Sequence, residues 1–195
     1  MKKCLILIIC LILPITLLKA QKNNAKEALL LIDIQNFYFK GGSSELVNPI
    51  PASLNAKKIL EYFRENEKLV IHVKHGSGDA AKIHNNVKPL ESEKIIIKNE
   101  VNSFKNTELL DFLKKNKIES LVICGMQTHM CLEGATRAAS DYDFKCTVIQ
   151  DACATKDVKF GNKTIKAEDV HFSTLGTISV YAKVTSTLEF LKKNR

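Results

Sequence analysis

Short apolar runs alternate with longer segments of helical period along almost the whole chain, and this order restricts the fold more than any other feature. Residues 27–33 (EALLLID), 69–75 (LVIHVKH), 94–98 (KIIIK), 120–125 (SLVICG), 145–154 (KCTVIQDACA) and 181–186 (YAKVTS) read as strands. The first is nearly continuous in Leu and Ile, the pattern of a strand covered on both faces. Residues 53–68 set Ala56, Ile59, Leu60 and Phe63 on one helical stripe, and residues 106–117 turn Leu109, Leu110, Phe112 and Leu113 inward. Asn106 or Thr107 is placed to cap the second helix. Further helices are expected from Cys131, over 167–179 and over 187–194, with a polar loop at 154–166. Such alternation buries a parallel sheet between two layers of helices through right-handed crossovers. The fold class is α/β, doubly wound.

In these sheets the ligand lies beyond the carboxyl ends of the strands. Asp33 ends the first strand, Lys98 ends the third, and Cys131 lies shortly after the fourth. Each has a bland reading alone: a loop cap, a solvated lysine, a packed thiol. Together they suit one chemistry. The thiolate is cysteine's reactive form, and a helix N-terminus or a nearby cation lowers its pKa. Asp33 can take the thiol proton and later activate a water. Lys98 can stabilise the thiolate and fix the carboxylate, and backbone N–H groups of the 126–131 turn can face a developing oxyanion.

The chain begins with two lysines, an apolar stretch from Cys4 to Leu18, and then Lys19, Ala20 and Gln21. That is the pattern of a secretory signal peptide, too short for a membrane span. Residues 1–20 are expected to be removed, leaving one domain at 21–195 that is periplasmic or secreted, with no stable membrane insertion. Loss of Lys2, Lys3 and Lys19 lowers the formal charge from +8 to +5. The remaining basic residues are scattered among acids, so no nucleic-acid partner is implied. Cys124, Cys131, Cys146 and Cys153 remain, without the spacing of a redox dithiol or zinc site.

Four motifs, in order, resemble the isochorismatase-like cysteine hydrolases, a family that includes nicotinamidases and related amidases. They are LLLIDIQNFYFKGG with Asp33, IIIKNEVNSFKNTELLDFL with Lys98, VICGMQTHMCLEGATRAASDYDF with Cys131, and VIQDACAT after it. The likeness spans essentially the whole chain after residue 20. It implies a three-layer sandwich with a six-stranded parallel sheet of order 3-2-1-4-5-6. It also implies a catalytic triad of Cys131, Asp33 and Lys98, a thioester intermediate, and a cis peptide between Met126 and Gln127. The N–H groups of Gln127 and Cys131 would then form the oxyanion hole. No cofactor is implied, and a homo-oligomer is expected by analogy.

Nicotinamidases of the family carry an Asp-x-His pair after the second strand for a metal. Here the region reads HVKHGSGDAAKIH, with His72, His75 and His84 but no such pair, so no metal is expected. His72 is expected to pack in its strand, and His75 to face the pocket. Tyr38, His75 and Phe104 are the candidate substrate contacts. The segments GMQTHMC and VNSF resemble the metal-free, amidase-like branch. The expected activity is hydrolysis of a carbon–nitrogen bond in a small amide. The alternatives are hydrolysis of an isochorismate-type vinyl ether, which does not need the thiol, and a non-catalytic ligand-binding or thiol-sensing role.

Overall fold

A computed structural model describes residues 26–194. The signal-peptide segment falls outside the described residues. The central sheet contains β1 (Glu27–Ile32), β2 (Leu69–His75), β3 (Lys94–Lys98), β4 (Ser120–Met126) and β5 (Lys145–Ala154). After β5 come β6 (Val158–Phe160) and β7 (Lys163–Ile165), and the last strand is β8 (Lys183–Thr185). Helices α1 (Pro49–Glu65), α2 (Leu109–Lys115), α3 (Glu133–Asp141), α4 (Ala167–Ile178) and α5 (Thr187–Asn194) flank the sheet. Its order is β3-β2-β1-β4-β5-β8, with every neighbouring pair parallel.

The expected topology is present, and its sixth member is the eighth strand in the chain. The reason is the segment read as a polar loop: β6 and β7 form a separate antiparallel ribbon. Its turn, Gly161–Asn162, needs a positive φ, which Gly161 supplies at 59°. The alternating flanks VKF and KTI carried that signal.

Side-chain alternation in β1 explains the two cores. Ala28, Leu30 and Ile32 join Ile71, Leu109, Leu113, Ala135 and Ile178 on one face. Leu29 and Leu31 join Ala56, Ile59, Leu60, Phe63 and Phe190 on the other. With a period of two, every second residue of a central strand must therefore be apolar on each side. Helix α2 starts later than the Asn106 or Thr107 cap expected: its N-cap residue is Glu108, which makes no side-chain cap bond, while the Thr107 hydroxyl just ahead of it accepts the Leu109 N–H at 3.3 Å.

Gly125, on β4, lies directly against the backbone of Ile32 on β1. Its φ is 143°, and an added Cβ would lie 2.0 Å from the Ile32 carbonyl oxygen. Gly125→Ala is expected to destabilise the protein by more than about 4 kcal/mol, because backbone on both sides would have to move. Soluble yield and thermal melting measure this. A variant with the parent's melting temperature would contradict the packing.

Candidate active site

Three strand ends bring the central groups together. β1 ends at Ile32, and Asp33 turns out of it with φ 51°, its N–H still donating to Val73 at 2.9 Å. Aspartate tolerates this left-handed conformation better than most residues. Lys98 is the last residue of β3 and pairs in register with His75, the last of β2. After β4 the chain passes the Met126–Gln127 peptide bond, which is cis, into a π-helical turn at Thr128–Leu132 that holds Cys131. Helix α3 begins only at Glu133, so Cys131 sits ahead of it and not in its first turn.

The Lys98 ammonium is the hub. It lies 2.7 Å from Asp33 Oδ2, and it donates to Cys131 Sγ at 3.2 Å and to the Glu100 carbonyl at 3.0 Å. His75 Nδ1 is 3.3 Å away. Both side chains of the ion pair are fully buried, and Cys131 is 6% exposed. Asp33 Oδ2 is close to the ammonium but out of hydrogen-bond alignment, and Oδ1 has no partner. A buried carboxylate with unfilled lone pairs beside a thiol is well placed to receive a proton.

Electrostatics here depart from the sequence expectation of a lowered thiol pKa. Burial, and next the Asp33 charge, push the Cys131 thiol up to about 11, and Lys98 only partly offsets them. Burial also raises the Asp33 carboxyl above its usual range, against the opposing pull of Lys98. At neutral pH the thiol therefore keeps its proton until something takes it. Two pairs brace the π-helical turn: Thr128 Oγ1 lies 3.0 Å from His171 Nδ1, and His129 Nδ1 lies 2.6 Å from Thr155 Oγ1.

The isochorismatase domain family matches residues 27–179 of this chain. The chain belongs to the isochorismatase family. It is 40% identical over 177 residues to the isochorismatase family protein YddQ of Bacillus subtilis, covering 85% of this chain and 98% of that one. A solved structure described as an isochorismatase hydrolase, from Oleispira antarctica, superposes with a TM-score of 0.84 at 38% identity, covering 87% of this chain and 97% of that one. The streptothricin hydrolase of Streptomyces noursei is 28% identical over 142 residues, covering 68% of this chain and 56% of that protein.

Within this isochorismatase-family hydrolase the other candidates fall as follows. Tyr38 is buried, and its hydroxyl accepts from Gln127 Nε2 at 3.4 Å; burial raises its pKa. Phe104 lies in the core with Phe144, in the same cluster as Cys131, with ring centroids 6.3 Å apart, and the exposed Tyr142 ring covers it at 5.4 Å. His72 is buried and lies 2.9 Å from Glu93 Oε2. His84 stacks on Phe39 and accepts from the Asn86 N–H. Among the described residues Cys124, Cys131, Cys146 and Cys153 are all free, and burial pushes Cys146 and Cys153 up to about 12.

Gln35 is a positioning group whose partners the sequence did not reveal. Its Oε1 accepts the His75 N–H at 2.8 Å and its Nε2 donates to the His75 carbonyl at 3.0 Å. It thus clamps the end of β2, and with it the His75 ring, against Lys98.

Proposed function

We propose that this isochorismatase-family hydrolase cleaves a carbon–nitrogen bond of a small amide, with Cys131, Asp33 and Lys98 as its catalytic triad. One observation carries the reading: a single buried ammonium holds a thiol and an open carboxylate within 3.2 Å. Asp33 removes the thiol proton as Sγ attacks the carbonyl carbon, and the N–H groups of Gln127 and Cys131 receive the oxyanion. When the tetrahedral intermediate collapses, the C–N bond breaks and Asp33 returns its proton to the departing nitrogen. A water deprotonated by Asp33 then attacks the thioester carbon. The C–S bond breaks, the acid leaves, and the thiol is restored.

The Lys98 ammonium faces both groups, compensating first the carboxylate and then the thiolate. His75 Nδ1 lies 3.3 Å from the Lys98 ammonium, at the edge of the Asp33–Cys131 cluster. The His75 ring is the group we assign to the substrate, with Tyr38 and Phe104 as further contacts. A thiol held near pKa 11 is a poor oxidation sensor, which speaks against a sensing role. A vinyl ether hydrolysis leaves the thiol without a task. Incubation with a library of small amides and intact-mass analysis tests the reading: an acyl adduct on Cys131 is expected. Turnover of an amide without any such adduct contradicts it.

Asp33, His75 and Cys131 bring donor atoms within 4.8 Å of one another, a spacing that could hold a metal ion. Lys98 Nζ, however, lies within 3.3 Å of all three side chains, so the cation of the cluster is already built in. Amide turnover is therefore expected to be unchanged by a strong chelator. Activity lost to the chelator and regained with zinc would contradict this.

Export remains our reading of residues 1–20. N-terminal sequencing of the processed protein is expected to start near Gln21, and recovery of an intact Met1 from the cytosol alone would count against it.

A further inference from the structure

Two buried glutamines near the strand ends differ in how their side chains are used. Gln35 is paired at both ends: Oε1 accepts the His75 N–H, and Nε2 donates to the carbonyls of His75 and Ala81. Gln127 is only 5% exposed, yet its side chain makes one bond, from Nε2 to the Tyr38 hydroxyl at 3.4 Å. Its Oε1 has no partner among the described residues. Leaving a buried acceptor unpaired costs stability, so each case in a folded protein requires a reason. Asp33, the other acceptor of the site without a hydrogen-bond partner, takes the thiol proton. Gln127 Oε1 has no task in that transfer.

The surroundings of this side chain point to the substrate. Gln127 follows β4 directly, and its carbonyl accepts the N–H groups of Met130 and Leu132, so its backbone is fixed in the turn that carries Cys131. Tyr38, the partner of its side chain, is raised first by burial and then further by the charges of Asp33 and Cys131. The paired amide and phenol therefore stand beside both the base and the nucleophile. Because Tyr38 engages Nε2, the end of the amide left open is the acceptor.

We propose that Gln127 is a specificity-determining residue whose Oε1 accepts an N–H from the scissile nitrogen of the substrate. The inference rests on the amide reading above and narrows its substrate class to primary and monosubstituted amides, against esters of the same acids. As the bond from Sγ to the carbonyl carbon is made and the C–N bond breaks, Asp33 passes its proton to that nitrogen. The nitrogen then carries positive charge, and its N–H groups become stronger donors. The contact with Oε1 tightens toward the transition state, which is where binding accelerates a reaction. An ester oxygen offers no hydrogen and leaves Oε1 unpaired, the arrangement by which a site rejects an analogue lacking a donor. Once the thioester has formed the nitrogen has gone, so this side-chain contact belongs to acylation.

A matched pair of substrates tests this: a primary amide that acylates Cys131 and the methyl ester of the same acid, with kcat/KM measured for each. Gln127→Met keeps the backbone N–H and the length of the side chain but removes the acceptor. Its amide-to-ester ratio should fall at least about tenfold below the parent's, the scale of one hydrogen bond to a charged group. A purely structural role would slow both substrates alike and leave the ratio in place. Tyr38→Phe frees Nε2 and lets the amide turn, so it should shift the ratio the same way by a smaller factor. An unmoved ratio in Gln127→Met, with the parent still acylated on Cys131, overturns this inference alone. A parent that forms no acyl adduct with any amide overturns the amide reading and this inference with it. A ratio that moves in Gln127→Met but not in Tyr38→Phe overturns the anchoring by Tyr38.

Discussion

Cys131→Ala is expected to abolish amide turnover, a loss of about 10⁶-fold, the scale seen when a triad hydrolase loses its nucleophile. The fold should survive, because the change removes one sulfur from a side chain already packed among Phe104, Leu132 and Ala135. No other thiol can substitute. Cys153, in the neighbouring strand, donates to the Ile149 carbonyl at 3.2 Å and is held protonated by burial. Steady-state hydrolysis with a substrate from the amide library, beside a melting curve, measures both parts. Retained hydrolysis in a folded variant would reject the nucleophile assignment.

Asp33→Asn should lower turnover by about 10²–10⁴-fold, the usual worth of a general base. It keeps the shape of the side chain but cannot take the thiol proton. Alkylation of Cys131 should move the opposite way. The Asp33 charge is one of the causes that raise the thiol to about 11, so its removal lowers that pKa and increases the thiolate at a given pH. A thiol that alkylates more readily while turnover collapses separates the base from a mere electrostatic neighbour. In the parent, activity should fall as pH drops through the Asp33 pKa, which burial places above the usual carboxylate range, because only the ionised form accepts the proton. Turnover within twofold of the parent would reject the base.

The parts of the site that were legible share a physical basis. A strand covered on both faces must be apolar, so Asp33 after EALLLI, Lys98 after KIII and the turn beyond SLVICG stand out as strand-end chemistry. The ribbon could also have been read, from Gly161–Asn162 between alternating residues. By contrast, Gln35 finds His75 forty positions away, and His75 meets Lys98 through the β2–β3 register. No local pattern encodes such partners. The start of the helix after Cys131 was displaced for a similar reason: the Gln127 carbonyl accepts both Met130 and Leu132 N–H groups, giving a π-helical turn before α3.

The sequence by itself determined the doubly wound sheet and which acid, lysine and thiol lie at its carboxyl edge, because period and strand ends are local properties of the chain. Only the tertiary structure decided how those groups are charged. A cysteine before a helix and beside a lysine reads as a thiolate. Folding buries it and sets Asp33 against it, and desolvation plus a like charge outweigh the ammonium. Burial and the distance between side chains on different strands exist only once the sheet has assembled, so the protonation state of Cys131 belongs to the fold.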